Sequence, residues 1–72
     1  MSVFSDKIRG LRKSSGKKQI EIAEYIGVAP RTLRHYEVGY VEPNLERLVK
    51  IADFFNVSTD YLLGRSDNPQ QQ

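Results

Sequence analysis

Apolar residues recur every three or four positions along most of this 72-residue chain. That spacing places them on one side of an α-helix, and no stretch shows the apolar-polar alternation of a half-buried strand. The apolar runs end at four glycines and one asparagine, which are Gly16, Gly27, Gly39, Gly64 and Asn56. Both residue types accept the left-handed conformation that closes a helix. The pattern therefore predicts an all-α domain of five short helices.

The predicted helices cover residues 3–14, 19–26 and 30–37, a fourth helix that begins after Asn44 and ends before Asn56, and a short turn after Ser58. Their inward positions predict the core, which consists of Phe4, Ile8, Leu11, Ile22, Ala23, Ile26, Leu33, Tyr36, Leu45, Leu48, Ile51, Ala52 and Phe55. Residues 1–65 are interpreted as one domain. The polar, glutamine-rich residues 66–72 are interpreted as a disordered tail.

Only three residues, one of them glycine, separate the second and third predicted helices. Such a short turn is typical of a helix-turn-helix. At 100° per residue, Leu33 and Tyr36 face the interior. Arg31, Arg34 and His35 project to the opposite side, and all three can donate hydrogen bonds. The third helix therefore presents a donor-rich outer surface.

The run from Gln19 to Gly39, QIEIAEYIGVAPRTLRHYEVG, resembles the helix-turn-helix of lambda-repressor/Cro-like regulators, also called the XRE type. The resemblance extends from KIRGLRK at residues 7–13 to VSTDYLLG at residues 57–64. It implies a five-helix lambda-repressor-like DNA-binding domain. It further implies a sequence-specific transcriptional regulator, a repressor that binds a palindromic operator as a homodimer.

The same resemblance places the helix at about residues 30–37 in the major groove of double-stranded DNA. Arg31, Arg34 and His35 are the expected base readers, because arginine can donate two hydrogen bonds to guanine. Thr32 is a weaker candidate. Pro30 has no donor, so it can offer only apolar contact, for example to a thymine methyl group.

Contacts to the DNA phosphates are expected, by resemblance, from a second set of residues around the helix-turn-helix: Lys17, Lys18, Gln19, Tyr40 and Asn44. Lys18 stands where many family members have a capping Ser or Thr, so the second helix is expected to lack a side-chain cap. The resemblance also implies a structural ion pair between Arg12 and Glu37.

Phe54 lies off the apolar stripe of the fourth helix by helical angle. Together with Tyr61 and Leu62 it indicates an exposed dimer patch. The alternative is that the short last helix covers Phe54.

Charge is unevenly distributed, although the net charge is only +2. Residues 1–36 hold eight basic and three acidic residues, a net of +5, whereas residues 37–72 hold three basic and six acidic residues, a net of −3. A basic half favours a polyanionic partner, although an ordinary solvated surface explains the same imbalance equally well.

Composition narrows the remaining function classes. The chain has no cysteine, no signal-peptide run and no apolar stretch long enough to span a membrane, which favours a cytoplasmic protein. The family resemblance implies that it is encoded by a bacterium or phage and associates with the nucleoid. No catalytic, metal or cofactor motif is evident, so an enzyme is disfavoured. Two alternatives stay open: an antitoxin-like or anti-regulator module that acts on a protein partner, and the DNA-binding module of a longer repressor.

Overall fold

The computed structural model describes residues 3–71, and Met1, Ser2 and Gln72 lie outside the described residues. Its elements, in chain order, are α1 (Val3–Ser15), α2 (Gln19–Ile26), α3 (Pro30–Val38), α4 (Leu45–Phe55) and α5 (Thr59–Leu62). The predicted all-α fold of five helices is confirmed. The helix bounds also agree closely, with α1 and α3 each one residue longer than predicted. None of these helices has the length and apolar content needed to cross a membrane.

The core lies between the helix-turn-helix and the helices that support it. Helix α3 packs on α1 and α2, α4 packs on α2, and α5 contacts α1 and α4. The buried apolar residues are Phe4, Ile8, Ile22, Ala23, Ile26, Leu33, Tyr36, Leu48, Ile51, Ala52, Val57 and Leu62. Each helix contributes at least one of them, so the short helices stabilise one another through a shared interior.

Leu45 is not a core residue, and the prediction of its burial is wrong. Its side chain is 81% exposed, whereas Leu48, three residues later, is buried. Leu45 is the first residue of α4, and side chains of a helix tilt toward its N-terminus. The side chain therefore extends past the end of the interior, although its helical angle matches the apolar stripe.

The helix starts use different caps. The backbone N–H of Lys18 donates to Glu21 Oε1 at 3.0 Å, so the carboxylate within α2 partly replaces the missing cap at its start. Asn44 Oδ1 accepts from the Arg47 N–H at 2.9 Å at the start of α4. These local hydrogen bonds hold the start of α2, which belongs to the helix-turn-helix, and the start of α4, which packs on α2.

Residues 66–71 return toward the end of α4. The backbone N–H of Ser58 donates to the Pro69 carbonyl at 2.9 Å. Gln71 Nε2 donates to the Val57 carbonyl and to Asp53 Oδ1, both at 3.0 Å. The boundary after residue 65 and the disorder of residues 66–72 stay predictions, and Gln72 lies outside the described residues.

Gly64→Ala is expected to destabilise the fold. Gly64 has φ +76°, and a Cβ there would lie 2.5 Å from Val3 Cγ1. We expect a loss of about 1–2 kcal/mol from the left-handed conformation alone, measured by urea or thermal unfolding. Gly10→Ala is the matched control because nothing lies within 4 Å of its added Cβ, and inside α1 it should stabilise by about 0.5–1 kcal/mol. Equal effects of the two substitutions would contradict this account.

Candidate nucleic-acid interface

A tight turn fixes the angle between α2 and α3. Gly27 closes α2 with φ +79° in the left-handed region. The backbone N–H groups of Gly27 and Val28 both donate to the Ala23 carbonyl, at 2.9 and 3.0 Å. Ala23 and Leu33 are fully buried and Val28 packs against the core. The turn and its packing therefore hold α3 at a defined angle on the scaffold.

The outer side of α3 is accessible along its length. Pro30, Arg31 and Arg34 are exposed, and Thr32 and His35 are half-buried. Leu33 and Tyr36 occupy the inner side and are buried. The two arginines are three residues apart, which makes them neighbours on the helix surface. The structure thus brings all five predicted base-contact residues onto a short helix that is anchored from behind.

Tyr40 lies beside the end of this helix. Its ring meets the His35 ring edge to face, with 5.0 Å between the ring centres. Its backbone N–H donates to the His35 carbonyl at 2.9 Å, and its side chain is exposed. The predicted phosphate contact Tyr40 and the predicted base reader His35 therefore form one connected surface.

Glu37 is the centre of a buried polar network behind α3. It is 3% exposed. Arg12 donates to it through two nitrogens, with Nε 2.6 Å from Oε2 and Nη2 3.0 Å from Oε1. Arg9 Nη1 donates to the Glu37 carbonyl at 3.2 Å. The Arg12–Glu37 pair implied by the family resemblance is present and joins α1 to α3.

The carboxylate of Glu37 also shifts the titration of its partner. Its hydrogen bond raises the pKa of the Arg12 guanidinium above the ordinary value, while partial burial opposes the rise. A base whose pKa is higher in the folded state than in the unfolded state stabilises the fold at every pH below its unfolded-state pKa. This contribution is lost only as the pH rises through the folded-state pKa. Because that pKa lies above the ordinary arginine value, Arg12 stays charged under all ordinary conditions.

Gln19 takes part in the same network, which sequence reasoning missed. Its Nε2 donates to Glu37 Oε1 at 3.2 Å. An amide nitrogen carries two hydrogens, so one remains for a further acceptor. The two residues are 18 positions apart, and no periodicity links them. The hydrogen bond therefore connects Gln19 at the start of α2, which is expected to contact a DNA phosphate, to the end of α3.

The remaining predicted phosphate contacts lie at the helix starts. Lys17 and Lys18 are exposed immediately before α2. Asn44 is exposed immediately before α4, where its Oδ1 caps the helix. An amide NH2 group is left on Asn44 for another acceptor. The structure thus places polar donors next to the first turns of two helices.

The three predicted dimer residues do not form an exposed patch. Leu62 is 0% exposed, so its assignment to a dimer surface is wrong, because α5 directs this side chain into the core. Phe54 is half-buried between Tyr25 and Phe55, with ring centres 5.2 and 5.1 Å away. The half-buried Tyr61 ring faces Lys7 Nζ at 4.2 Å. A role of Phe54 and Tyr61 in a dimer stays a prediction.

A comparison with known families identifies the arrangement of α2 and α3. A sequence profile described as helix-turn-helix matches residues 8–62 of the chain. The chain belongs to this helix-turn-helix family. The match includes every residue predicted to touch DNA, and it confirms the lambda-repressor/Cro-like resemblance.

Relatives within the helix-turn-helix family include regulators of bacteria and phages. The chain is 36% identical over 61 residues to the HTH-type transcriptional regulator ImmR of Bacillus subtilis. That alignment covers 85% of this chain and 48% of the relative. It is 40% identical over 65 residues to the cryptic phage CTXphi transcriptional repressor RstR of Vibrio cholerae. That alignment covers 90% of this chain and 59% of the relative. The chain therefore spans about half the length of these relatives.

A solved helix-turn-helix structure covers the fold more completely. The P22 c2 repressor protein, crystallised with a synthetic operator, superposes with a TM-score of 0.84 and 27% sequence identity. The alignment covers 92% of this chain and 100% of that one. The fold of this chain is therefore shared with a repressor protein that has been crystallised in complex with a synthetic operator.

Proposed function

We propose that this chain is a sequence-specific DNA-binding transcriptional regulator, with α3 as its recognition helix in the major groove. The observation that carries the proposal is the outer side of α3, where Arg31 and Arg34 are exposed while Leu33 and Tyr36 anchor the inner side. The major groove accepts an α-helix, and its base edges offer the acceptors that arginine prefers. A rigidly held helix loses little freedom on binding.

Contacts to the phosphates set the position of α3 in this proposal. Gln19, held by Glu37 at 3.2 Å, donates to one phosphate together with its own backbone N–H at the start of α2. Lys17 and Lys18 add positive charge beside it. Tyr40 and the N-terminal end of α4 at Asn44 contact the phosphate backbone of the DNA on the other side of α3.

The proposed regulator acts as a repressor, a homodimer on a palindromic operator in the bacterial cytoplasm. Support comes from the relatives, which include a transcriptional repressor of a cryptic phage and the P22 c2 repressor bound to an operator. A two-fold protein matches a palindrome whose half-sites lie about 34–36 Å apart. Occupancy of such a site within a promoter would block transcription.

Selection of bound sequences from random duplex DNA tests the proposal directly. We expect enrichment of a palindrome, bound about 10³-fold or more above background. Its affinity should fall as salt rises, because phosphate contacts release counterions. A failure to enrich any sequence, with weak binding that salt abolishes, would contradict sequence-specific recognition. It would instead favour a protein partner, for which affinity capture followed by reconstitution of the purified complex is the next measurement.

A further inference from the structure

We propose that Tyr40 is a positioning residue for base recognition, whose ring holds the His35 imidazole in the orientation that meets a base in the major groove. This role is additional to the expected contact of Tyr40 with a DNA phosphate. The inference rests on the proposed function, because it identifies how one base reader of α3 is held in place and how that hold affects sequence preference.

The turn that ends α3 places residue 40 against residue 35. Gly39 closes the helix with φ +79° in the left-handed region. The Gly39 N–H donates to the Tyr36 carbonyl at 3.3 Å, and the Tyr40 N–H donates to the His35 carbonyl at 2.9 Å. These two hydrogen bonds form a Schellman motif, in which the side chain after the glycine often packs on the last turn of the helix. The backbone of the free protein therefore directs the Tyr40 side chain toward His35.

The two rings meet where the outer side of α3 ends. Their centres are 5.0 Å apart and their planes cross at 60°, which is close to the edge-to-face arrangement that aromatic pairs prefer. Tyr40 is 74% exposed, whereas His35 is half-buried. The exposed tyrosine therefore covers one side of the imidazole and limits the rotamers that the imidazole can adopt.

Recognition of a base requires an oriented imidazole. A neutral imidazole carries one donor and one acceptor nitrogen, and each forms a hydrogen bond only over a narrow range of angles. A side chain that becomes ordered only on binding loses rotamer freedom, which lowers the affinity. Because Tyr40 holds the imidazole before DNA is bound, His35 loses less freedom at the base that it reads.

The hydroxyl and the ring of Tyr40 have different consequences for binding. The hydroxyl acts on a phosphate, which every DNA sequence carries, so it affects the affinity for all sequences alike. The ring acts through His35 and therefore affects the preference at one base pair of the half-site. Substitutions that remove the hydroxyl alone, or the hydroxyl and the ring together, distinguish these two roles.

The test compares wild type with Tyr40→Phe, Tyr40→Leu and His35→Ala, and uses Tyr25→Leu as the matched control. Phenylalanine keeps the ring and removes the hydroxyl, whereas leucine removes both and keeps an apolar side chain in the turn. Tyr25 is another exposed tyrosine, and its ring meets Phe54 edge to face at 5.2 Å. Each form is taken through selection from random duplex DNA and titrated against the selected sequences. Thermal unfolding shows that each form is folded.

We expect His35→Ala to lose sequence preference at one base pair of the half-site. Tyr40→Leu should weaken the preference at that same base pair by about 2- to 10-fold, which corresponds to the loss of one aromatic pair. Tyr40→Phe and Tyr25→Leu should keep the preference. Both Tyr40 variants should bind all sequences about tenfold more weakly through the lost phosphate contact. A Tyr40→Leu/His35→Ala double variant should lose no more preference than His35→Ala alone.

Three results of the selection would overturn the proposal. Unchanged preference in His35→Ala would remove His35 as a base reader, and unchanged preference in Tyr40→Leu would remove the positioning role of Tyr40. An equal loss of preference in Tyr40→Phe and Tyr40→Leu would assign the effect to the hydroxyl rather than to the ring.

A measurement without DNA separates this inference from the proposed function. If wild type selects no sequence, the proposed function fails, and the role of Tyr40 is judged from NMR side-chain couplings of His35 in the free protein. A single χ1 rotamer of His35 in wild type and Tyr40→Phe, with averaged couplings in Tyr40→Leu, would support the hold of Tyr40 on His35. Equal couplings in all three forms would overturn it.

Discussion

Glu37→Gln is expected to lower the free energy of unfolding by about 2–4 kcal/mol. Removal of one partner from a buried ion pair costs about 3–5 kcal/mol because the other charge stays uncompensated. We place the effect somewhat lower because the Arg12 side chain is 18% exposed and water partly screens it. In a domain of this size, 1 kcal/mol shifts Tm by about 4–8 °C. The substitution should therefore lower Tm by about 8–32 °C in calorimetry.

The control for this prediction is Glu24→Gln, which removes the same charge from an exposed position of α2. An exposed substitution of this kind should change stability by less than about 0.5 kcal/mol. A double-mutant cycle with Arg12→Gln isolates the pair itself. We expect the two substitutions together to cost at least about 1 kcal/mol less than their sum. Strict additivity would show that Arg12 and Glu37 do not stabilise each other.

Arg34→Ala and Arg31→Ala are each expected to relax sequence preference at one position of the half-site. A bidentate arginine-guanine contact contributes about 1–3 kcal/mol of discrimination. This corresponds to a loss of about 5- to 150-fold in preference at that base pair. Both side chains are exposed, so the fold should stay intact. Repetition of the selection with each variant shows which base pair loses its preference.

Lys18→Ala is the matched control for the arginine variants, because it removes one positive charge from an expected phosphate contact. Binding to all sequences should weaken about equally, and the slope of log K against log salt should fall by about one per half-site. Unchanged selectivity in both arginine variants would contradict their assignment as base readers. A changed base preference in Lys18→Ala would contradict its assignment to the phosphates.

Local sequence determined the helices and the turn between α2 and α3. The bounds of α2 follow from the apolar positions at Ile22, Ala23 and Ile26 and from the stop at Gly27, all within nine residues of each other. Helical geometry then places Arg31 and Arg34 opposite Leu33. Both inferences depend only on the 3.6-residue period of a helix and on the left-handed conformation that glycine accepts. Both are local properties of the chain and do not depend on distant residues.

Family resemblance was needed for the Arg12–Glu37 pair. The two residues are 25 positions apart, and the chain holds eleven basic and nine acidic side chains. Charge alone therefore allows many pairings. The structure shows the pair and adds the hydrogen bond from Gln19, which neither periodicity nor charge indicated.

Only the tertiary structure decided which apolar side chains reach the interior. Periodicity identifies the apolar side of a helix but does not show how far the neighbouring helices extend along it. Leu45 lies on the apolar side of α4 and is exposed because the interior ends before it, whereas Leu62 is covered by the packing of α5. Burial depends on contacts between distant segments. The sequence by itself therefore determined the helices and the outer side of α3, and the packing of those helices decided the core, the Glu37 network and the exposure of Leu45.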